Sequence, residues 1–513
     1  MLVPLAELRL TPPMNLPLSR RSFLAALAAS AAGPVLANAP ETSLRPVARG
    51  EDVWARTIPD LEEIIRDARL DGSFAFSVGN VETGEILEGR NGDEGLPPAS
   101  VAKALSAAYA LEFLGADHRF ATRLLSTGEV DADGILQGDL ILVGGGDPTL
   151  DTDALARLAG RLRDAGVNGV SGKLLIWGGA LPEVTGIDPE QPDHVGYNPS
   201  VSGLNLNFNR VHFEWNRVGE SYEVALDGRS GSRRPPVSMA RMVVVSRRSP
   251  IYTYTDGGER DDWTVAKSAL GNAGSRWLPV RRPALYTGEV FQAVAGSEGL
   301  RLKAPEMIEA MPETARELAS IESQPLTDIL RDMLKWSTNL TAEVVGCAAS
   351  VERGIDIASL EDSAEAMNAW ARDELGIDGL ALKDHSGLGG DSRVEAEAMT
   401  RALIALRGRM ELKPLLKPIP IRDEARQVLS SHPLDVHAKT GTLNFVSGLA
   451  GFIDCPDGTE LAFAVFSGDL EHRATIPRED REGPPGARTY NTRAKKFQME
   501  LIKRWGALYG RTS

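Results

Sequence analysis

Cysteine is nearly absent: Cys347 and Cys455 are the only two in 513 residues. So few thiols exclude a disulfide-built scaffold, and with no CxxC pair and no Cys/His cluster the chain offers no zinc-type site. In an oxidising compartment the two could pair, but sequence alone does not place them within bonding distance. Histidine is scarce too. The seven are scattered, and His432 and His437 lack the spacing of a helical metal pair, so they read as surface or supporting groups. No Ser-His-Asp set, metal site or organic cofactor site can be assigned. Excess positive charge is also missing. Lys and Arg number 56 against 71 Asp and Glu, a net charge of −15, which argues against nucleic acid or an anionic membrane as partner.

Long apolar runs are lacking outside the N-terminus. There, "SRRSFLAALAASAAGPVLANA" starts with Arg20-Arg21, continues through an Ala-rich apolar stretch and ends in the small-x-small site Ala37-Asn38-Ala39. That pattern is a twin-arginine export signal over residues 1–39, with Met1 or Met14 as the start. A second "SRRS", Ser246 to Ser249, is followed by a polar segment and is not a signal. The expectation is a periplasmic protein with no membrane span in its mature form.

What is present has a clear order. "SFAFSVGNVETGEILEGRN" reads as a hairpin about "ETGE", followed by a Gly/Pro loop and a helix starting near Ser100. From about Phe120 the texture turns to short strands and glycine turns. Helical signal returns near Ser323. Two or three strands then flank "CPDGTE", and "TRAKKFQMELIKRWGAL" reads as a closing amphipathic helix. This is the pattern of a β-rich insertion, residues 121–304, in an α/β-type domain made of residues 40–120 and 305–513. The first hairpin and the last strands would then share one antiparallel sheet.

Three short patterns each occur once in the mature chain: SxxK at Ser100 and Lys103, SxN at Ser337 and Asn339, and KTG at Lys439, Thr440 and Gly441. On a helix Ser100 and Lys103 share one face. In an Ala-rich setting the lysine loses proton affinity and becomes a possible base for the hydroxyl. An ordinary helix start, with Ser100 as N-cap and Lys103 solvated, would read the same way. The joint occurrence favours chemistry. Acyl transfer needs a nucleophile (Ser100), a base (Lys103) and donors for the oxyanion. Ser337 would relay a proton to the leaving amine, and Asn339 would meet a peptide backbone. Lys439 and Thr440 would hold a terminal carboxylate, and Gly441 would let the strand approach the substrate.

With these motifs the chain resembles the penicillin-recognising D-alanyl-D-alanine carboxypeptidase/endopeptidase family, the penicillin-binding protein 4 type of serine peptidase family S13. The 237 residues separating Ser100 from Ser337 leave room for that family's large insertion. "GGGDPTL" (Gly144 to Leu150), "YNPSVSGLNLNFN" (Tyr197 to Asn209), "SQPL" (Ser323 to Leu326) and "DHSGL" (Asp384 to Leu388) are similar to its further signatures. The resemblance implies an α+β multidomain fold. A transpeptidase/β-lactamase-like domain, an antiparallel sheet packed with helices, carries the β-rich insertion as two smaller domains. It implies acylation of Ser100 by peptidoglycan stem peptides or β-lactams, an oxyanion hole from the N–H groups of Ser100 and Thr442, and no cofactor.

One departure stands out. Family members often read SGLSR, whose arginine meets a side-chain carboxylate of the substrate. Here "SGLGGDSR" has Gly390 at that position and Arg393 three residues on, so Arg393 is the expected substitute. Asp188 or Asp193 would meet an amino group of the same substrate residue, or be solvated loop acids. The alternatives to a peptidase are a β-lactamase or esterase on the same scaffold, or a non-catalytic cell-wall binding or sensor protein. The sequence leaves oligomeric state open.

Overall fold

The computed structural model describes residues 58–422, 427–429 and 432–510. The expected export signal lies outside the described residues. Helix α1 (Leu61–Ala68) is capped by Asp60, whose carboxylate accepts from the Glu62 N–H at 2.7 Å. Strands β1 (Ser73–Asn80) and β2 (Ile86–Arg90) form the hairpin expected about "ETGE". Helix α2 (Ala102–Leu114) follows a single 3-10 turn, Ala99–Val101. It is buried at every position from Ala102 to Ala110. Its alanines permit that, since small side chains let neighbours pack on all sides.

The chain then leaves this core. Strands β3 (Ala121–Ser126), β4 (Leu140–Gly144) and β5 (Leu174–Trp177) are joined by β6 (Pro305–Met307) and β7 (Arg316–Glu322) in a five-stranded mixed sheet of order β6-β5-β4-β3-β7. Two three-stranded sheets, built from strands within residues 210–279, share its apolar core. The β-rich texture hides two helices, α3 (Thr152–Asp164) and α4 (Pro283–Ser297), which pack on each other. The middle sheet also runs past the boundary expected at residue 304, because β7 pairs antiparallel with β3 and covers its edge.

The return to the first core is helical: α5 (Leu326–Trp336), α6 (Asn339–Glu352), α7 (Leu360–Leu375) and α8 (Ala396–Arg407). Strands β8 (Lys417–Pro418), β9 (Asp435–Leu443), β10 (Val446–Asp454) and β11 (Glu460–Gly468) complete a six-stranded antiparallel sheet of order β8-β9-β10-β11-β1-β2. Helix α9 (Ala487–Tyr509) closes the described chain.

Both faces of this sheet are covered. In β11, Ala462, Ala464 and Phe466 join the core containing α2 and α8, while Leu461, Phe463 and Val465 meet α1 and α9. That is the period-2 alternation of a strand with apolar partners on both sides, and it explains the unbroken apolar run "LAFAVF". Each such side chain taken fully out of water contributes roughly 1.5–3 kcal/mol before entropy is counted. Cys347 and Cys455 are free, buried, and lie in different apolar clusters, so they do not pair.

Gly346 of α6 is pressed against the ring of His385, and a Cβ there would run into that ring. Gly→Ala inside a helix ordinarily stabilises. Here the fully buried ring cannot yield, so Gly346→Ala is expected to destabilise by about 1–3 kcal/mol in urea unfolding. A gain in stability would show that the contact is loose.

Candidate active site

The start of α2 is held in an unusual backbone. Ala99 has φ 48°, in the left-handed region that a residue with a Cβ adopts at a cost, and Ser100 follows it within the 3-10 turn. Two close approaches hold that turn. Gly441 of β9 faces it, and a Cβ at Gly441 would lie 2.5 Å from the Pro98 carbonyl oxygen and 3.2 Å from Ser100 N. Gly387, at φ 71°, likewise leaves no room for a Cβ against the Ala99 carbonyl. Gly441 was expected to make room for substrate. In the structure its missing side chain leaves room for the backbone of the Ser100 turn.

Lys103 lies one turn beyond Ser100 and is fully buried. Its Nζ donates to Ser100 Oγ at 2.9 Å, Asn339 Oδ1 at 2.7 Å and the Ser386 carbonyl at 2.6 Å. Burial lowers its pKa to about 8, against the attraction of Asp384 and Glu343. As a free amine it would keep the bonds to Asn339 and Ser386 and turn its lone pair to the Ser100 hydroxyl. That is the arrangement of a base.

Ser337 is the left-handed C-cap of α5, at φ 60°. The αL residue ends one helix and lets Asn339 begin the next, so both side chains face the same cleft. Lys439 Nζ donates to Ser337 Oγ, and to the Thr440 carbonyl at 2.7 Å. Burial, with repulsion from Lys103 and Lys417, lowers the Lys439 pKa to about 6. Two desolvated amines thus flank one pair of serine hydroxyls.

These groups open on a cavity of about 290 Å³. Ser100, Ser337, Asn339 and Thr442 line it, as do Tyr197, Arg473 and Glu482, which sequence reasoning did not single out. Asn339 Nδ2 donates to the Tyr197 carbonyl at 2.7 Å, so the "YNPS" segment of the middle block meets the SxN motif. That segment was legible as a signature, but its place at the cleft was not. Thr440 and Arg393 do not line this cavity.

Arg393 folds back on its own loop, donating to the carbonyls of Gly390 (2.7 Å) and Ser392 (2.9 Å), and faces a neighbouring cavity of about 710 Å³. Arg473 borders both cavities. Its guanidinium lies 3.7 Å from where a Gly390 Cβ would stand. It donates to the Asn444 carbonyl at 2.9 Å and, among the described residues, makes no ion pair. Asp193 is already paired with Arg478 at 2.7 Å. Asp188 lines the larger cavity, but its carboxylate accepts from Glu190 N and Gln191 Nε2.

Glu482 is the one carboxylate among the residues lining the Ser100 cavity. Hydrogen bonds from His194 and Arg276 hold its pKa down to about 2, which makes it a poor proton acceptor.

A family model described as the D-Ala-D-Ala carboxypeptidase 3 (S13) family matches residues 58–482. The chain is 28% identical over 458 residues to a D-alanyl-D-alanine carboxypeptidase of Actinomadura sp. (strain R39), covering 82% of each. It is 25% identical over 432 residues to the D-alanyl-D-alanine carboxypeptidase DacB of Haemophilus influenzae, covering 78% of this chain and 87% of that one. The crystal structure of penicillin binding protein 4 (dacB) from H. influenzae superposes with a TM-score of 0.67 at 21% identity, over 83% of this chain and 98% of that one. The same H. influenzae protein is also solved in complex with a β-lactam.

The two amines generate separate expectations. The acylation rate rises with pH through a midpoint near 8, as Lys103 loses its proton, and a stopped-flow pH profile checks this. Lys439 is uncharged above about 6 in the free protein, so binding a carboxylate at neutral pH takes up a proton. Calorimetry in buffers of different ionisation enthalpy measures that uptake. Zero uptake would mean that Lys439 is already charged.

Proposed function

The chain belongs to the D-Ala-D-Ala carboxypeptidase (S13) family of serine hydrolases, and from that premise we propose that it is an exported enzyme acting on peptidoglycan stem peptides through an acyl-enzyme at Ser100. The observation that carries this reading is the contact of a proton-poor, fully buried Lys103 with Ser100 Oγ at 2.9 Å. Lys103 takes the Ser100 proton as Oγ attacks the carbonyl of the penultimate D-alanine. The N–H groups of Ser100 and Thr442 receive the oxyanion. Ser337, held by Lys439, passes a proton to the leaving amine. Lys439 orients the terminal carboxylate, and Asn339 the peptide backbone. Water then releases the trimmed peptide. The leaving group is the terminal D-alanine, or the amine of a cross-linked peptide.

Arg473 takes the part expected of Arg393. It is a guanidinium with no ion pair among the described residues, at the join of the two cavities, placed to receive a side-chain carboxylate from the residue preceding the scissile pair. β-Lactams acylate the same serine. A fast β-lactamase needs a base beside the ester, and Glu482 has too little proton affinity for that work. The penicilloyl adduct is therefore long-lived.

Protein lacking residues 1–39 is expected to take up fluorescent penicillin and to release D-alanine from a pentapeptide. Ser100→Ala does neither. Equal labelling of both would mean another nucleophile, and rapid loss of label would favour the β-lactamase. Arg473→Ala is expected to lower kcat/KM about 10- to 100-fold for a pentapeptide with an acidic third side chain, the value of a charge-assisted hydrogen bond. With a neutral third residue the change is small. Equal loss on both substrates would assign Arg473 a structural part only.

A further inference from the structure

Helix α6 contributes a second group to the lysine besides Asn339. Glu343 lies one turn on, at i+4, and so faces the same way. It is fully buried. Its two oxygens accept from the N–H groups of His385 (3.0 Å) and Ser386 (2.8 Å). The Ser386 carbonyl in turn accepts from Lys103 Nζ at 2.6 Å, and the neighbouring His385 carbonyl accepts from Ser106 Oγ at 2.6 Å. Asp384 accepts from the N–H groups of Gly387 and Gly389. The Ser386–Gly387 peptide, whose carbonyl holds the lysine, is therefore gripped at its N–H by Asp384, and the preceding peptide, whose carbonyl holds Ser106, by Glu343. A carboxylate on a peptide's N–H makes that peptide's own carbonyl a stronger acceptor, so Asp384 strengthens the Ser386 carbonyl while Glu343 pins the Ser386 backbone in place.

We propose that Glu343 is a positioning residue for the acyl transfer: it fixes the Ser386 carbonyl against Lys103, and its negative charge sets the pH at which Lys103 becomes a free base. The inference rests on the reading of Lys103 as the base for Ser100. The groups facing this cluster are few. Lys103 is faced by Asp384, Glu343 and Lys439; Glu343 is faced by Asp384, Lys103, Cys347 and the neutral His385. Burial and repulsion by Asp384 raise the Glu343 carboxyl itself well above the usual carboxylate range, so its charge is complete only in the range where Lys103 is also giving up its proton. A structural carboxyl serves a turn equally well from many places. This one is fully buried beside an equally buried Lys103, where a change in its charge is felt by that amine.

Glu343→Gln keeps size and one acceptor but removes the charge. The ammonium form of Lys103 then loses a stabilising neighbour, so the base is free at lower pH. The midpoint of the penicillin-acylation profile is expected to move down by about one pH unit, with a several-fold lower plateau from the lost hydrogen bond. Glu343→Asp keeps the charge and withdraws the carboxylate by one methylene. Its plateau falls while its midpoint stays with the parent, which provides the test if the glutamine variant fails to fold. A parental midpoint in Glu343→Gln, with only a lower thermal midpoint, would overturn the inference and leave Lys103 as the base. The same downward shift in Glu343→Asp would also overturn it. A parent protein that labels at Ser100 but shows no ionisation between about pH 6 and 10 would remove the base assignment and this inference together.

Discussion

The structure depends on keeping two lysine amines out of water without neutralising them fully. Removing an ammonium ion from water costs several kcal/mol, so an amine in such a place sheds its proton or acquires a dense set of acceptors. Lys103 does both. It has three oxygen acceptors, and two buried carboxylates stand behind one of them. Lys439 has fewer acceptors and a like-charged neighbour, and its proton is held more weakly. The difference matches their tasks. In the proposed reaction one amine acts as a base near neutral pH, and the other receives an anion.

Much of the surrounding fold is what that desolvation requires. Helix α2 is buried all round, the strand glycines let β9 and the Asp384–Leu388 turn close on the nucleophile turn, and left-handed residues at Ala99 and Ser337 aim the two hydroxyls. Backbone strain of this kind persists only where packing over-determines it. The middle block takes part directly, since Tyr197 reaches Asn339, and Gln191 and Tyr197 wall the cavity. The insertion is therefore a component of the cleft as well as an appendage. The segment after β11 supplies Arg473 and Glu482, which give the cavity wall one guanidinium and one carboxylate of low proton affinity.

The candidate site was legible where chemistry is local. Ser100 and Lys103 are within one helical turn, Ser337 and Asn339 span a helix junction, and Lys439 to Thr442 are one strand, so short spacing carried their relation. Arg393 shows where such reasoning stops. Three residues after the expected position is near in sequence, but the loop turns its guanidinium onto its own carbonyls, and Arg473, 83 positions after Gly390, stands at that spot instead. Gly441 shows the same limit in another form: the need for a missing side chain was readable, but the neighbour that requires it was not. The boundary at 304 moved because strand pairing of β7 with β3 is a long-range event with no local mark.

The sequence by itself marked out Ser100, Lys103, Ser337 and Asn339 as neighbours and gave the order of sheet and insertion, because periodicity and motif spacing reflect local geometry. Tertiary structure alone decided how strongly each amine holds its proton, which arginine faces the cleft, and that Glu343 stands behind Ser386. These are matters of burial and of partners some 40 to nearly 300 residues away, as with Lys103 and Ser386. Desolvation and charge act through space, and no spacing along the chain records them.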